Sequence, residues 1–155
     1  MQQAIPLDDE TTARQRAIGA FAAADVAVLA TGWQAIGAGA AVHPVRGPEA
    51  GLIMLRGRVG GAGTPFNLGE ASVTRATVRL ASGEVGHAMV LGRDADKARL
   101  AATLDAAWQR LDWREAIEAE IVGPVLAAQA DDDRQAAEET QATRVDFFTV
   151  VRGDD

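Results

Sequence analysis

Strict alternation of side chains over residues 70–80 is the feature that most limits how this chain can fold. Arg75 and Arg79 fall on one face of the stretch, and small or apolar residues fill the other face. A period of two residues predicts a β-strand with one buried and one polar face. Residues 81–83 predict a short turn, after which residues 84–91 return as a second strand. The centre of the chain is therefore predicted to form an antiparallel meander.

The rest of the chain completes an α+β pattern. Before the alternating stretch, the sequence predicts extended chain over 42–46, a turn over 47–51, an apolar strand over 52–59 and a glycine loop over 60–65. Apolar residues at helical spacing predict helices over 8–24, from 26 through Trp33, over 94–112, 113–122 and 125–142, with Gly123-Pro124 as a stop. We expect a single domain over residues 1–155, a small antiparallel β-meander sheet flanked by N-terminal and C-terminal helices.

Composition excludes several kinds of site. The chain has no cysteine, which removes disulfides, iron–sulfur ligation, zinc–thiolate sites and thiol nucleophiles. Only two histidines remain as imidazole ligands, so we expect no metal and no cofactor bound by this chain alone. The N-terminus lacks a basic stretch followed by an apolar run, which leads us to expect a cytoplasmic protein. Residues 17–42 carry one charge, Asp25, but small residues and glycines argue against a membrane span.

Charge is unevenly distributed along the chain. The formal net charge of −7 disfavours nucleic-acid binding. Residues 46–110 nevertheless carry nine Lys or Arg against six acids, a local balance of +3. An anion can therefore be held locally by the central arginines.

Two arginines lead into the glycine loop. Arg56 and Arg58 precede Gly60 and Gly61, and guanidinium groups beside free backbone N–H groups suit phosphate oxygens. The loop is neither a Walker loop nor a dinucleotide fingerprint, since no Gly-Lys-Ser/Thr follows and the next element is a strand. The alternative is a tight connection that needs glycine for positive φ.

The same sheet face can extend this anion site. Arg75 and Arg79 share a face of their strand and can join Arg56 and Arg58 in one cationic patch. His87, on the returning strand, is a candidate proton donor or acceptor beside a bound anion. The alternatives are a solvated face or salt bridges for the arginines, and a packed, hydrogen-bonded histidine. No hydroxyl–histidine–carboxylate set has a telling spacing, so we assign no catalytic residue.

Several separated motifs resemble one family. Residues 143–154 read Thr-Arg-Val-Asp-Phe-Phe-Thr-Val-Val-Arg-Gly-Asp, and residues 58–63 read Arg-Val-Gly-Gly-Ala-Gly. Shorter motifs stand at 51–53, 69–71, 74–76, 78–80 and 92–94. In order and spacing they are similar to the PhnG family, over a span from about Arg14 to the end.

The resemblance implies a role in phosphonate catabolism. It implies a subunit of the carbon–phosphorus lyase core complex, with PhnH-, PhnI- and PhnJ-like partners and with ATP and an alkylphosphonate as substrates of the complex. In the implied reaction the phosphonate displaces adenine from ATP and gives alpha-D-ribose 1-alkylphosphonate 5-triphosphate. The resemblance assigns the nucleosidase chemistry to the PhnI-like subunit, so this chain would be a non-autonomous subunit of a transferase complex. A purely structural scaffold without ligand contact is the alternative.

The tail, residues 144–153, is rich in apolar side chains. We expect it to pack on a surface, because soluble proteins rarely expose such a patch. Its candidates for a partner interface are Arg144, Asp146, Phe147, Phe148 and Arg152. We expect docking on a partner, with packing on the chain's own sheet as the rival interpretation.

Overall fold

The computed structural model describes residues 9–37 and 39–142, with helices before and after a central sheet. The elements are α1 Asp9–Ala23, α2 Val26–Ile36, β1 Val42–Arg58, β2 Pro65–Leu80, β3 Val85–Leu91, α3 Ala95–Trp108, α4 Leu111–Ile117 and α5 Gly123–Ala142. A 3-10 turn over Val59–Gly61 follows β1, and a π-helical turn over Glu118–Val122 joins α4 to α5. The predicted α+β class is confirmed. Within the described ranges no helix has the length and apolar character needed to cross a membrane.

The three strands form the predicted antiparallel meander, in the order β1-β2-β3. Strand β2 is central, so that Thr77 lies opposite Arg46 on β1 and opposite His87 on β3. The alternation along β2 reflects one buried and one exposed face, as expected. Val78 and Leu80 are buried, whereas Arg75 and Arg79 are exposed. One face of β2 therefore belongs to the core.

Helix α3 covers that buried face, and small residues let it come close. A Cβ on Gly86 of β3 would lie 2.0 Å from the carbonyl oxygen of Ala102 and 2.4 Å from the amide nitrogen of Ala106. Alanine is the commonest residue of the core, which larger side chains complete: Phe21, Leu29, Leu104, Trp108, Ile117 and Ile121. The helix and the sheet thus meet almost backbone to backbone.

Both long strands extend further than their sequence patterns predict. The predicted extended segment, turn and strand over 42–59 are one strand, because β2 pairs with β1 along its length. Gly47, with a φ of 71°, lies in an irregularity of the pairing between Arg46 and Glu49 rather than in a chain-reversing turn. Strand β2 starts at Pro65 instead of residue 70.

Two helix boundaries also differ from the prediction. The predicted helix over 94–112 ends at Trp108, and Arg110 takes an extended conformation before α4 begins. Gly123-Pro124 begins α5 instead of stopping the helix before it. The amide of Gly123 donates to the carbonyl of Glu118 in the π turn, and proline has no N–H to lose in the first turn of a helix.

The hairpin of β1 and β2 outgrows the rest of the sheet. Strand β3 ends with Leu91 opposite Val73. Helix α3 starts at the same level, where the amide of Asp94 donates to Thr74 Oγ1 at 3.1 Å. Beyond Val73 of β2, neither β3 nor α3 continues beside the hairpin in the described part of the chain. We call the projecting part, residues 52–58 and 65–72 with the connection 59–64, the arm.

Candidate functional site

A groove of about 320 Å³ lies on the sheet face that points away from α3. Ile18 from α1 and Met89 from β3 supply its apolar side chains, and Ala76 and Ala88 of the sheet also line it. Its polar lining comes from all three strands: Arg46, Glu49, Arg75, Thr77 and His87. The groove therefore combines an apolar wall with a concentrated set of charged and hydrogen-bonding groups.

The strand register brings these polar residues together. Arg75 lies opposite Glu49 on β1, and Thr77 lies between Arg46 on β1 and His87 on β3. Directly opposite residues of an antiparallel sheet point to the same face. Two neighbouring rows of side chains consequently meet in the groove.

Two arginines share the carboxylate of Glu49. Its Oε1 accepts a hydrogen bond from Arg75 Nη2 at 3.2 Å and lies 2.8 Å from Arg46 Nη2. The side chains of Arg46 and Arg75 are 68% and 48% exposed, so water screens both pairs and each adds little stability. One carboxylate offsets only one of the two guanidinium charges. The groove keeps a net positive charge and N–H groups that suit a phosphorus oxyanion.

Thr77 and His87 form a hydroxyl–imidazole pair across β2 and β3, with Thr77 Oγ1 3.1 Å from His87 Nδ1. Nucleophilic catalysis by such a pair uses a carboxylate that orients the ring. The buried carboxylate of Asp105 instead accepts the main-chain N–H of His87 at 2.8 Å. The pair is therefore suited to hydrogen bonding with a ligand rather than to covalent catalysis.

Asp105 ties α1, α3 and β3 together behind the groove. Its carboxylate accepts hydrogen bonds at 2.8 Å from Arg14 Nε and Nη2 as well as from His87 N–H. Asp105 is fully buried, so its charge needs these donors. The hydrogen bond with Asp105 raises the pKa of the Arg14 guanidinium, against the opposite effect of burial.

Asp105 is not among the site residues that the sequence predicts. A signal was present, because an acid within a run of alanines on a core-facing helix must have a fixed partner. Arg14, which belongs to the amphipathic pattern of α1, is that partner.

The four arginines predicted to form one cationic patch do not come together. Arg75 lies in the groove, and Arg79 lies one row beyond it on the same face of β2, opposite His43 and Val85. Arg56 and Arg58 lie in the arm, opposite Asn67 and Pro65. Along β1, Arg56 lies seven residues beyond Glu49, the residue opposite Arg75. At the rise of a strand this distance is about 23 Å. The register, which the face alone does not determine, separates the two pairs.

The glycine loop forms a tight connection at the end of the arm. Gly60 takes a φ of 61°, in the left-handed region that favours glycine, and Gly61 ends the 3-10 turn. Arg58 Nη1 donates to the carbonyl of Gly63 at 3.1 Å, so this arginine caps its own loop. The geometry agrees with the conformational interpretation of the glycines, and anion binding at the loop stays a prediction.

The candidate interface residues of the tail, Arg144, Asp146, Phe147, Phe148 and Arg152, lie outside the described residues. Among residues 9–37 and 39–142, no three His, Asp or Glu side chains are gathered as metal ligands would be.

Comparisons with known proteins match the chain almost end to end. A sequence model of the family described as "Phosphonate metabolism protein PhnG" matches residues 12–153. A curated relative from Rhizobium meliloti (strain 1021) is 51% identical over 158 residues, and the alignment covers 100% of both chains. That relative is named "Alpha-D-ribose 1-methylphosphonate 5-triphosphate synthase subunit PhnG". The similarity therefore extends over the helices, the sheet and the arm alike.

Proposed function

Because the chain belongs to the PhnG family of phosphonate metabolism proteins, we propose that it is a subunit of an alpha-D-ribose 1-methylphosphonate 5-triphosphate synthase. In this reaction an oxygen of the alkylphosphonate bonds to the ribose C1 of ATP. The bond from C1 to the adenine nitrogen breaks, and adenine leaves after taking up a proton. PhnH-, PhnI- and PhnJ-like subunits are the partners of the chain in the cytoplasm.

The groove on the sheet supports direct contact with the substrates. Both the triphosphate of ATP and the phosphonate are phosphorus oxyanions, which guanidinium groups bind with paired N–H donors. Arg46 and Arg75 converge on the single carboxylate of Glu49, which an incoming anion can replace. This convergence is the observation that carries the proposal.

The chemistry of bond breaking belongs to a partner subunit. Adenine displacement requires an acid to protonate the leaving base and a site that encloses the ribose. The groove is open, and its one imidazole is hydrogen-bonded to Thr77 on an exposed sheet face. The chain thus contributes binding groups to a site that other chains complete.

A charge-deleting substitution in the assembled complex tests this role. Arg75→Met keeps most of the apolar stem and removes the guanidinium. We expect normal assembly and a decrease in the rate of adenine release of about tenfold or more, the usual effect of losing a charged hydrogen bond to a ligand. Arg79→Met is the matched control, since Arg79 shares the strand face but lies outside the groove.

The scaffold alternative predicts a different result. If Glu49 is the permanent partner of Arg75, Arg75→Met leaves adenine release at the wild-type rate or abolishes assembly. Size-exclusion chromatography of the complex, run alongside the adenine assay, separates these outcomes from a loss of substrate binding.

A further inference from the structure

The arm exposes large apolar side chains on both of its broad faces. Leu52 and Met54 lie opposite Ser72 and Glu70, on the face that α3 covers closer to the core. Leu55, opposite Gly69, points to the other face. These three side chains are 60%, 52% and 38% exposed, and Val59, Phe66 and Leu68 are 72%, 43% and 65% exposed.

A two-stranded ribbon of this kind is poorly stabilised by itself. Isolated hairpins are marginal in water, and strands that are apolar on both faces are typical of sheets covered on both sides. In the inner half of the same hairpin the apolar face is covered, since Val78 and Leu80 are 3% and 1% exposed under α3. The outer half has the composition of covered strands without a cover from the described residues.

We propose that the arm is a docking element that a different polypeptide chain clasps on both faces. The partner presents an apolar cleft whose rim carries carboxylates facing Arg56 and Arg58. The inference uses the subunit character of the family and does not depend on the groove or on contact with substrate.

The charges of the arm define the partner's chemistry. Arg56 and Arg58 outnumber Glu70, the single acid of residues 52–72, although the whole chain carries −7. Arg56 has no ion pair among the described residues, and Arg58 bonds only to a loop carbonyl there. Acidic groups on the partner would satisfy both guanidiniums.

A second copy of this chain fits the arm less well. The acidic surface of α5 lacks large apolar side chains after Leu126. The other exposed large apolar residues of the described ranges are spread over four elements: Val26 and Val28 on α2, Val45 on β1, Met89 and Leu91 on β3, and Leu111 on α4. The described part of the chain therefore offers no cleft that matches the arm in size.

The area of the arm is sufficient for a specific contact. A ribbon about 25 Å long and about 10 Å wide presents roughly 500 Å² on its two faces, from the rise and spacing of β-strands. Specific interfaces bury about 800 Å² on each partner. The arm can thus supply more than half of one side of a stable interface, and neighbouring sheet surface the remainder.

Binding measurements with the other synthase subunits, purified together without this chain, test the docking role. The double variant Leu52→Asp, Leu68→Asp places two charges in the clasped surface, and we expect binding to weaken about 30-fold or more. Leu111→Asp on α4 is the control, because Leu111 is 80% exposed and lies outside the arm. It should bind like the wild type. Circular dichroism should show equal thermal unfolding for all three proteins, since only exposed positions change.

Hydrogen exchange of the wild-type chain gives an answer that requires no variant to fold. On binding, amides over 52–58 and 65–72 should gain protection. Wild-type affinity of the double variant, or exchange in the arm that is unchanged by the partners, would overturn the proposal. So would a wild-type chain that dimerises by itself and protects the arm in the dimer. None of these results depends on adenine release, so the proposal on the groove is judged separately.

Discussion

The carboxylate of Asp105 on α3 holds the main-chain amide of His87 on β3 at 2.8 Å, in the interior of the protein. Strand β3 is an edge strand of the sheet, and the described residues give the amide of His87 no strand on its outer side to bond to. Asp105 supplies the acceptor instead. Arg14 of α1 donates two hydrogen bonds to the same carboxylate. The position of His87 in the groove thus depends on a partly buried ion pair behind the sheet.

Replacing Asp105 with Asn should destabilise the fold by about 2 kcal/mol, because it leaves the Arg14 guanidinium without its counter-charge. The side chain of Arg14 is 32% exposed, and partial access to water keeps the loss below that of a fully buried pair. Urea denaturation measures the free energy of unfolding. Asp112→Asn, which removes the exposed partner of Arg110, should unfold close to the wild-type denaturant concentration. Equal stability of both variants would contradict the anchoring role.

Gly86→Ala should be strongly destabilising, by about 3 kcal/mol or more, because the new methyl group would overlap backbone atoms of α3. The helix cannot yield without leaving the sheet. Thermal unfolding followed by circular dichroism measures the effect. Gly51→Ala on β1 is the matched control, since a Cβ there meets its nearest atom, Arg75 Nη2, at 3.9 Å. A stable Gly86→Ala variant would show that α3 is not held this close.

Glu49→Gln should increase the affinity of the assembled complex for inorganic tripolyphosphate about threefold, since a unit charge near 5 Å in water is worth somewhat under 1 kcal/mol. The substitution keeps the size of the side chain and removes the charge that competes for Arg46 and Arg75. Isothermal titration calorimetry at low and high salt measures the change. Glu115→Gln on α4 serves as the control. Unchanged or weaker binding by the Glu49 variant would exclude the two arginines as anion ligands.

Ser82→Ala should raise the pKa of Glu84 towards its ordinary value of 4.5. The hydroxyl of Ser82 donates to the Glu84 carboxylate, and this bond is the main cause of the lowered pKa in the folded chain. A carboxyl group with a lowered pKa stabilises the fold above its unfolded pKa and loses that contribution as pH falls through its folded pKa. The variant should therefore lose less stability than the wild type on acidification below about pH 4.5. Carbon-detected NMR titration of Glu84 checks the pKa, and an unchanged value would contradict the assignment.

The sequence predicted the sheet best where packing obeys local rules. Alternation over residues 70–80 identified β2 because every second side chain from Thr74 to Leu80 is buried in the covered half of the strand. The sequence does not predict a strand over residues 65–69, because Asn67 and Gly69 are poor strand formers. Pairing with β1 makes these residues part of β2. Gly47 likewise predicts a turn, but the pairing between β1 and β2 continues on both sides of it.

The candidate site shows the same limit. The sequence placed Arg75 and His87 among the candidates, and the structure brings them into one groove with Glu49, which the sequence did not select. The face of a strand follows from counting residues, but the height along the sheet follows from register, a tertiary property. The sequence therefore places Arg56 and Arg58 on the correct strand but not at their distance from Arg75 and Arg79.

An interior in which alanine is the commonest residue changes the usual pattern of mutational sensitivity. In a core of leucine and phenylalanine, truncation is the damaging change, because it leaves a void. Here Ala98, Ala101 and Ala102 of α3 are buried and have only one methyl group to lose. Any larger residue must push α3 away from the sheet or from the helices packed on it, and glycine costs roughly 1 kcal/mol through helix propensity alone. At these buried positions of α3 we therefore expect every substitution, to a larger residue or to glycine, to lower the stability of the fold.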